Sequence, residues 1–130
     1  MSSIFTKIVA GEIPAYKVYE DDEFLAFLDV FPIAKGHTLV IPKQEVDNVF
    51  DMEDSLYQRY FMLCKKLSHA IAQSIPCLRV GSAIVGLEIP HAHVHLVPLN
   101  SISDLNFEKP KLKFTGEEFG QLAELIKSKL

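Results

Sequence analysis

Apolar residues along this chain change their spacing several times, and each change marks an element. Ile4, Phe5, Ile8 and Val9 recur at helical spacing and stop at Gly11, which predicts a short N-terminal helix closed by a glycine. Tyr16 to Glu20 and Glu23 to Val30 then read as two strands joined by the acidic turn Asp21-Asp22, a hairpin pattern. Phe31-Pro32 breaks the second run. Lys35-Gly36 leads into a third strand, His37 to Ile41, closed by Pro42.

The period then lengthens. Leu56, Tyr60, Leu63, Cys64, Leu67 and Ile71 follow the three-and-four spacing of an amphipathic helix. Asp51, Glu53 and Asp54 precede it and favour its N-terminal dipole, while Pro76 ends it. Leu78 to Val85 and His91 to Val97 read as two further strands separated by a short turn containing Gly86. Thr115-Gly116-Glu117-Glu118 is a capping-box pattern for a last helix over about 116–129, with Phe119, Leu122, Ala123 and Ile126 on its inner face. The order is helix, three strands, helix, two strands, helix. It implies an α+β domain on a five-stranded antiparallel sheet, the single domain of residues 1–130. From Asn100 to Phe114 no period is legible, and an extended or loop stretch is expected. Lys109, Lys111 and Lys113 alternate there with Pro110 and Leu112, the pattern of a solvated strand edge rather than a ligand site.

Composition narrows the class. Hydrophobic residues make up 48% and charged ones 23%, an ordinary globular balance. The net charge of −4 comes with no basic run longer than Lys65-Lys66, which argues against a nucleic-acid polymer as partner. A single mononucleotide remains compatible, because backbone N–H groups can hold a small anion. Cys64 and Cys77 form no Cys-x-x-Cys pair and read as reduced core thiols. The stretch Met1 to Lys7 has no long apolar segment, and no apolar run approaches a membrane span, so the expected compartment is the cytoplasm.

The chemistry is concentrated in His91-Ala92-His93-Val94-His95, which holds three of the five histidines. On a strand these three imidazoles share one face, each about 7 Å from the next, while Ala92, Val94 and Leu96 occupy the other. A row of polar rings is costly to bury without partners, so such a face borders a pocket. Two readings follow. The histidines could ligate a metal, with His37 or Glu88 as a further ligand. Alternatively a neutral imidazole could attack phosphorus while its neighbours orient it and stabilise charge. Spacing alone does not choose between them.

Four blocks of sequence resemble the histidine-triad (HIT) family, Hint-like branch, and cover most of the chain. Pro90-His91-Ala92-His93-Val94-His95-Leu96-Val97-Pro98 is similar to its signature of three histidines separated by hydrophobic residues. Ile4 to Val9 with Gly11-Glu12-Ile13-Pro14-Ala15 resembles its N-terminal segment. Phe24 to Pro32 and Gly36 to Lys43 resemble its nucleoside-binding strands. The resemblance implies attack by the middle histidine, His93, on the α-phosphate of a nucleotide. A nucleotidyl-histidine would form and water would then hydrolyse it, with no metal or cofactor. His95 would donate to a phosphate oxygen, and His91 and His37 would orient the nucleophile. It further implies that Asp29 accepts hydrogen bonds from the ribose hydroxyls. Phe5, Ile8, Ile13, Phe27 and Val30 would wall a purine base. The partner is therefore expected to be a purine nucleotide or nucleotide conjugate. Relatives form homodimers through the segments matching Ser55 to Ile75 and Leu78 to Val85.

One stretch departs from the family pattern. Where many relatives carry a glycine-rich loop and a Gly-Gln-Ser or Gly-Gln-Thr phosphate site, this chain reads Gly86-Leu87-Glu88. Glu88 next to a phosphate is unfavourable unless turned away, and the expectation is that it faces solvent, leaving the N–H groups after Gly86 to hold the anion. The functional classes that remain are a nucleoside phosphoramidase or nucleotidyl hydrolase, a nucleotide-binding regulatory module with little turnover, and a histidine-based metal binder.

Overall fold

Strand β1 (Lys17–Glu20) and strand β2 (Phe24–Leu28) form the first hairpin of an antiparallel sheet. Asp21 makes its turn: one carboxylate oxygen accepts the N–H groups of both Glu23 and Phe24 at 2.8 Å. Strand β3 (Thr38–Pro42) pairs with the whole of β2, and strand β5 (Val94–Leu99) lies between β3 and the edge strand β4 (Arg79–Ala83), giving the order β1-β2-β3-β5-β4. The computed structural model describes residues 3–130. The leader-free reading of the N-terminus rests partly on Met1 and Ser2, which lie outside the described residues.

Every residue of β2 and β3 is buried, because the sheet is covered on both faces. Phe24, Ala26, Leu28, Val40, Val94 and Leu96 face one way, into a core shared with helix α2 (Asp54–Ser74) and helix α3 (Gly116–Ser128). Leu25, Phe27, Leu39 and Ile41 face the other way and pack against Phe5 and Ile8 of the short helix α1 (Ile4–Val9). Tyr60 of α2 stacks on Phe24 at 5.4 Å and donates its hydroxyl to the Val40 carbonyl, so its polar end is satisfied inside the core. Helix α2 stops at Ser74 with Ile75 extended, as the residue before Pro76 prefers. The capping box of α3 forms in both directions between Thr115 and Glu118.

Three expectations are corrected. The last strand begins at Val94 rather than His91, since the Ala92 N–H turns away to the Val46 carbonyl and the His91 carbonyl accepts a side-chain bond. The link from β4 to β5 is therefore the whole loop 84–93, not a short turn. The stretch 100–114 joins no sheet: it forms a turn of 3₁₀ helix at Ile102–Asp104, a second turn closed by the Lys109 N–H on the Asn106 carbonyl, and then runs extended to α3. Cys64 is buried and its thiol is pushed up to about 12 by that burial, while Cys77, in the α2–β4 connection, is only half-buried. Among the described residues, no helix is long and apolar enough to cross a membrane.

Candidate active site

Sheet register sets the floor of a cavity of about 470 Å³. Phe27 lies opposite Leu39, and Leu39 lies opposite His95, so these three side chains form one cross-strand row on the α1 side of the sheet. Phe5 and Ile8 from α1 close one wall, and Ile13 follows in the descending chain. Asp29 and Val30 enter from the end of β2, and Gly86, Leu87 and Glu88 from the loop before the triad. The residues expected to bind nucleotide therefore converge on one space, together with His37, His93 and His95. His91 does not line it; it is buried behind the cavity wall. The size and the apolar lining suit a small organic ligand.

Hydrogen-bond partners determine the tautomer of each histidine, because a carbonyl can only accept and an amide N–H can only donate. His93 places Nδ1 2.8 Å from the His91 carbonyl, so Nδ1 carries the proton and Nε2 keeps its lone pair. The Ile33 N–H donates to His37 Nδ1 at 3.2 Å, leaving the proton of neutral His37 on Nε2. That Nε2 is 2.9 Å from His95 Nδ1, to which it donates, and His95 in turn carries its proton on Nε2. His91 donates from Nε2 to the Pro42 carbonyl at 2.7 Å. The orienting partners thus differ from those expected: the main chain of His91 holds His93, and the ring of His37 holds His95. The ring of His91 is occupied with Pro42 and cannot serve.

Gly36 makes this arrangement possible. Its φ of 92° is left-handed, and a side chain there would press on Ile75 and Pro98, so only glycine turns the chain to deliver His37. Burial drives the pKa of His37 down to about 4, with the charge of Lys111 adding to the effect. Burial likewise pushes His95 down to about 3, helped by His37, His93 and Lys111 and opposed by Asp29. Both rings are neutral at ordinary pH. Asp29 accepts the Phe31 N–H at 2.8 Å with one oxygen and lies 3.6 Å from His37 Nε2 with the other.

Asp29, His37 and His95 each bring a ligating atom within 4.8 Å of the others, which could in principle serve an ion. The donor set argues otherwise. His37 Nε2 and His95 Nδ1 share a proton, and freeing both lone pairs would deprive the buried Ile33 N–H of its acceptor. Glu88 is no part of this group; it is exposed at the rim, as is Leu87, while Gly86 adopts a left-handed φ of 69°.

Sequence reasoning missed Phe107 and Lys111, which also line the cavity. Phe107 packs on His95 with ring centroids 4.6 Å apart and on His37 at 6.2 Å. Reading Lys111 as part of a solvated strand edge is therefore corrected: the segment has no strand partner and folds across the histidines instead. The one available signal was an isolated aromatic residue in a polar, proline-bearing stretch.

Known proteins share this sequence pattern and fold. The HIT domain model matches residues 10–102. An uncharacterised HIT-like protein of Borreliella burgdorferi is 38% identical, over 95% of this chain and 94% of its own length. A Schizosaccharomyces pombe protein named adenosine 5′-monophosphoramidase hnt1 is 36% identical, over 100% of this chain and 99% of its own. The crystal structure of a Hit-like protein involved in cell-cycle regulation from Bartonella henselae superposes with a TM-score of 0.85 at 27% identity, covering 99% of this chain and 96% of that one.

Proposed function

The chain belongs to the HIT family, and from that premise we propose that it hydrolyses or transfers nucleotidyl groups at the α-phosphorus of a purine nucleoside phosphoramidate or a similar purine nucleotide conjugate. The observation that carries this reading is the His93 tautomer. With Nδ1–H committed to the His91 carbonyl, the Nε2 lone pair is available to the cavity without prior deprotonation. In the first step Nε2 bonds to the α-phosphorus, the bond to the leaving group breaks, and an amine departs with its electron pair and takes up a proton. In the second step water attacks the phosphorus, loses a proton, and the bond to His93 breaks. Nucleoside monophosphate is released and the imidazole is regenerated. His95 Nε2–H donates to a phosphate oxygen as charge builds, and His37 holds that donor in its tautomer.

Phe5 and Phe27 offer flat apolar contact to the base, with Ile8, Ile13, Val30 and Leu39 beside them, and Asp29 accepts from the ribose hydroxyls. Residues 1–130 act as one such unit. Two chains pair through α2 and the edge strand β4, a reading supported by exposed Met62 on α2 and exposed Leu78 just before β4 and testable by sedimentation velocity. The free, reduced cysteines support a cytoplasmic setting. A second reading, binding with little turnover, draws support from Leu87 and Glu88, which put no phosphate-binding side chain on the loop. Rapid-quench single-turnover reaction with an adenosine phosphoramidate distinguishes them. We expect an adenylyl adduct on His93 by mass spectrometry that decays into AMP; tight AMP binding with neither adduct nor product would establish the binding module instead.

A further inference from the structure

The charges around the cavity are lopsided. Its described lining contains two acids, Asp29 and Glu88, and one cation, Lys111, while His37 and His95 are neutral. The three alternating lysines of 105–114 have different fates. Lys109 is paired with Asp104 at 3.4 Å. Lys113 does not reach the cavity, and Lys111 does. Lys111 has no carboxylate partner among the described residues. It donates to the carbonyl of Phe107, the residue whose ring packs on His95, and the next N–H, that of Leu112, is anchored on the Pro32 carbonyl at 2.8 Å. The lysine is thus held from both sides beside the His37–His95 pair. Its ammonium, exposed at the cavity and in no ion pair among the described residues, is available to an anion bound beside these imidazoles.

We propose that Lys111 is the phosphate-binding residue of this site: its ammonium meets the anionic oxygens of the bound nucleotide next to His95, the task that Gly86-Leu87-Glu88 has no side chain to perform. This rests on the nucleotide reading above. It also places a substrate contact outside residues 10–102, the range matched by the family. The depressed pKa values of His37 and His95 are consistent with it, since Lys111 contributes to both.

Calorimetric titration of AMP and of adenosine into the full chain, the Lys111→Gln variant and the Lys111→Arg variant tests this. Lys111→Gln is expected to weaken AMP binding about 10- to 100-fold, the worth of one charge-assisted contact, and to leave adenosine within about twofold. Lys111→Arg should keep most of the AMP affinity. Added KCl should weaken AMP binding more in the unaltered chain than in Lys111→Gln. The lysine is exposed, so the fold is expected to persist in both variants, checked by thermal unfolding. If Lys111→Gln binds AMP as the unaltered chain does, or loses AMP and adenosine alike, the assignment of Lys111 falls and the nucleotide reading stands. If the unaltered chain binds neither ligand, both fall together.

Discussion

Phe27 and Leu87 line the same cavity, yet Phe27 is 4% exposed and Leu87 is 88% exposed. The difference runs through the whole site. One end is made of Phe5, Ile8, Phe27 and Leu39, which also form the smaller of two hydrophobic cores, between sheet and α1. The other end is made of loop 84–93 and the segment 105–114, held by single hydrogen bonds and turns. At the first end, ligand contact and folding energy reside in the same atoms, so that surface cannot change without cost to the fold. At the second, Lys111 and the proposed nucleophile His93 are presented by chain that buries only Ala92 in a core, with Ile84, Ile89 and Phe114 packed at the edges. On the function proposed above, changes at the second end would alter the chemistry or the leaving group while the base pocket stays constant.

The comparison can be broken at four points. The largest effect is expected for His93→Ala: loss of at least about 10³-fold in single-turnover rate, with the fold retained because Val94 and its core contacts are untouched. Near-normal turnover would show that the chemistry does not reside at this end. Next, Phe27→Ala should cost about 3–5 kcal/mol in denaturant unfolding, whereas Leu87→Ala should stay within about 0.5 kcal/mol. Equal costs would erase the distinction between the two ends.

Acid should act through the buried histidines. His37 has its folded pKa lowered to about 4, so the unfolded chain takes up the proton first as pH falls below about 6.5. Its contribution is complete above that pH and is lost between about 6.5 and 4, roughly 3 kcal/mol in all, with His95 acting in the same direction. Unfolding midpoints in urea across this window should fall steeply for the unaltered chain and less so for His37→Asn. A parallel decline in both would remove His37 from the account. The smallest effect belongs to Asp29→Asn, which should weaken ribonucleotide binding by about 1.5–3 kcal/mol and 2′-deoxynucleotide binding, which keeps only the 3′-hydroxyl, by less. The same loss for both sugars would make Asp29 a turn residue only, in keeping with its bond to the Phe31 N–H.

Much of the first end could be read from the chain. The runs Phe24 to Leu28 and Leu39 to Ile41 are apolar throughout, and period-2 geometry already sets Leu25 with Phe27, and Leu39 with Ile41, on a common face; the β2–β3 register then brings the two pairs together. The capping box at Thr115 and the proline stop after α2 are local signals, and both hold. At the second end the same reasoning reached His93 and His95 through alternation, although His91 to His93 are not in the strand. It misassigned Lys111, because alternating lysines look the same on a solvated edge and across a cavity mouth.

Which side chains of a single element share a face is legible in the chain alone, since strand and helix periods are properties of neighbouring residues. The chain also indicated that His93 and His95 would stand together. Only the tertiary structure decided which nitrogen of each ring carries its proton. Those protons are assigned by the Ile33 N–H and by the carbonyls of His91 and Pro42, and Pro42 is brought to His91 only by the placement of β3 beside β5. The approach of Phe107 and Lys111 was decided at the same level. Contacts of this kind depend on how distant segments close upon one another, and such closure leaves no period in the chain.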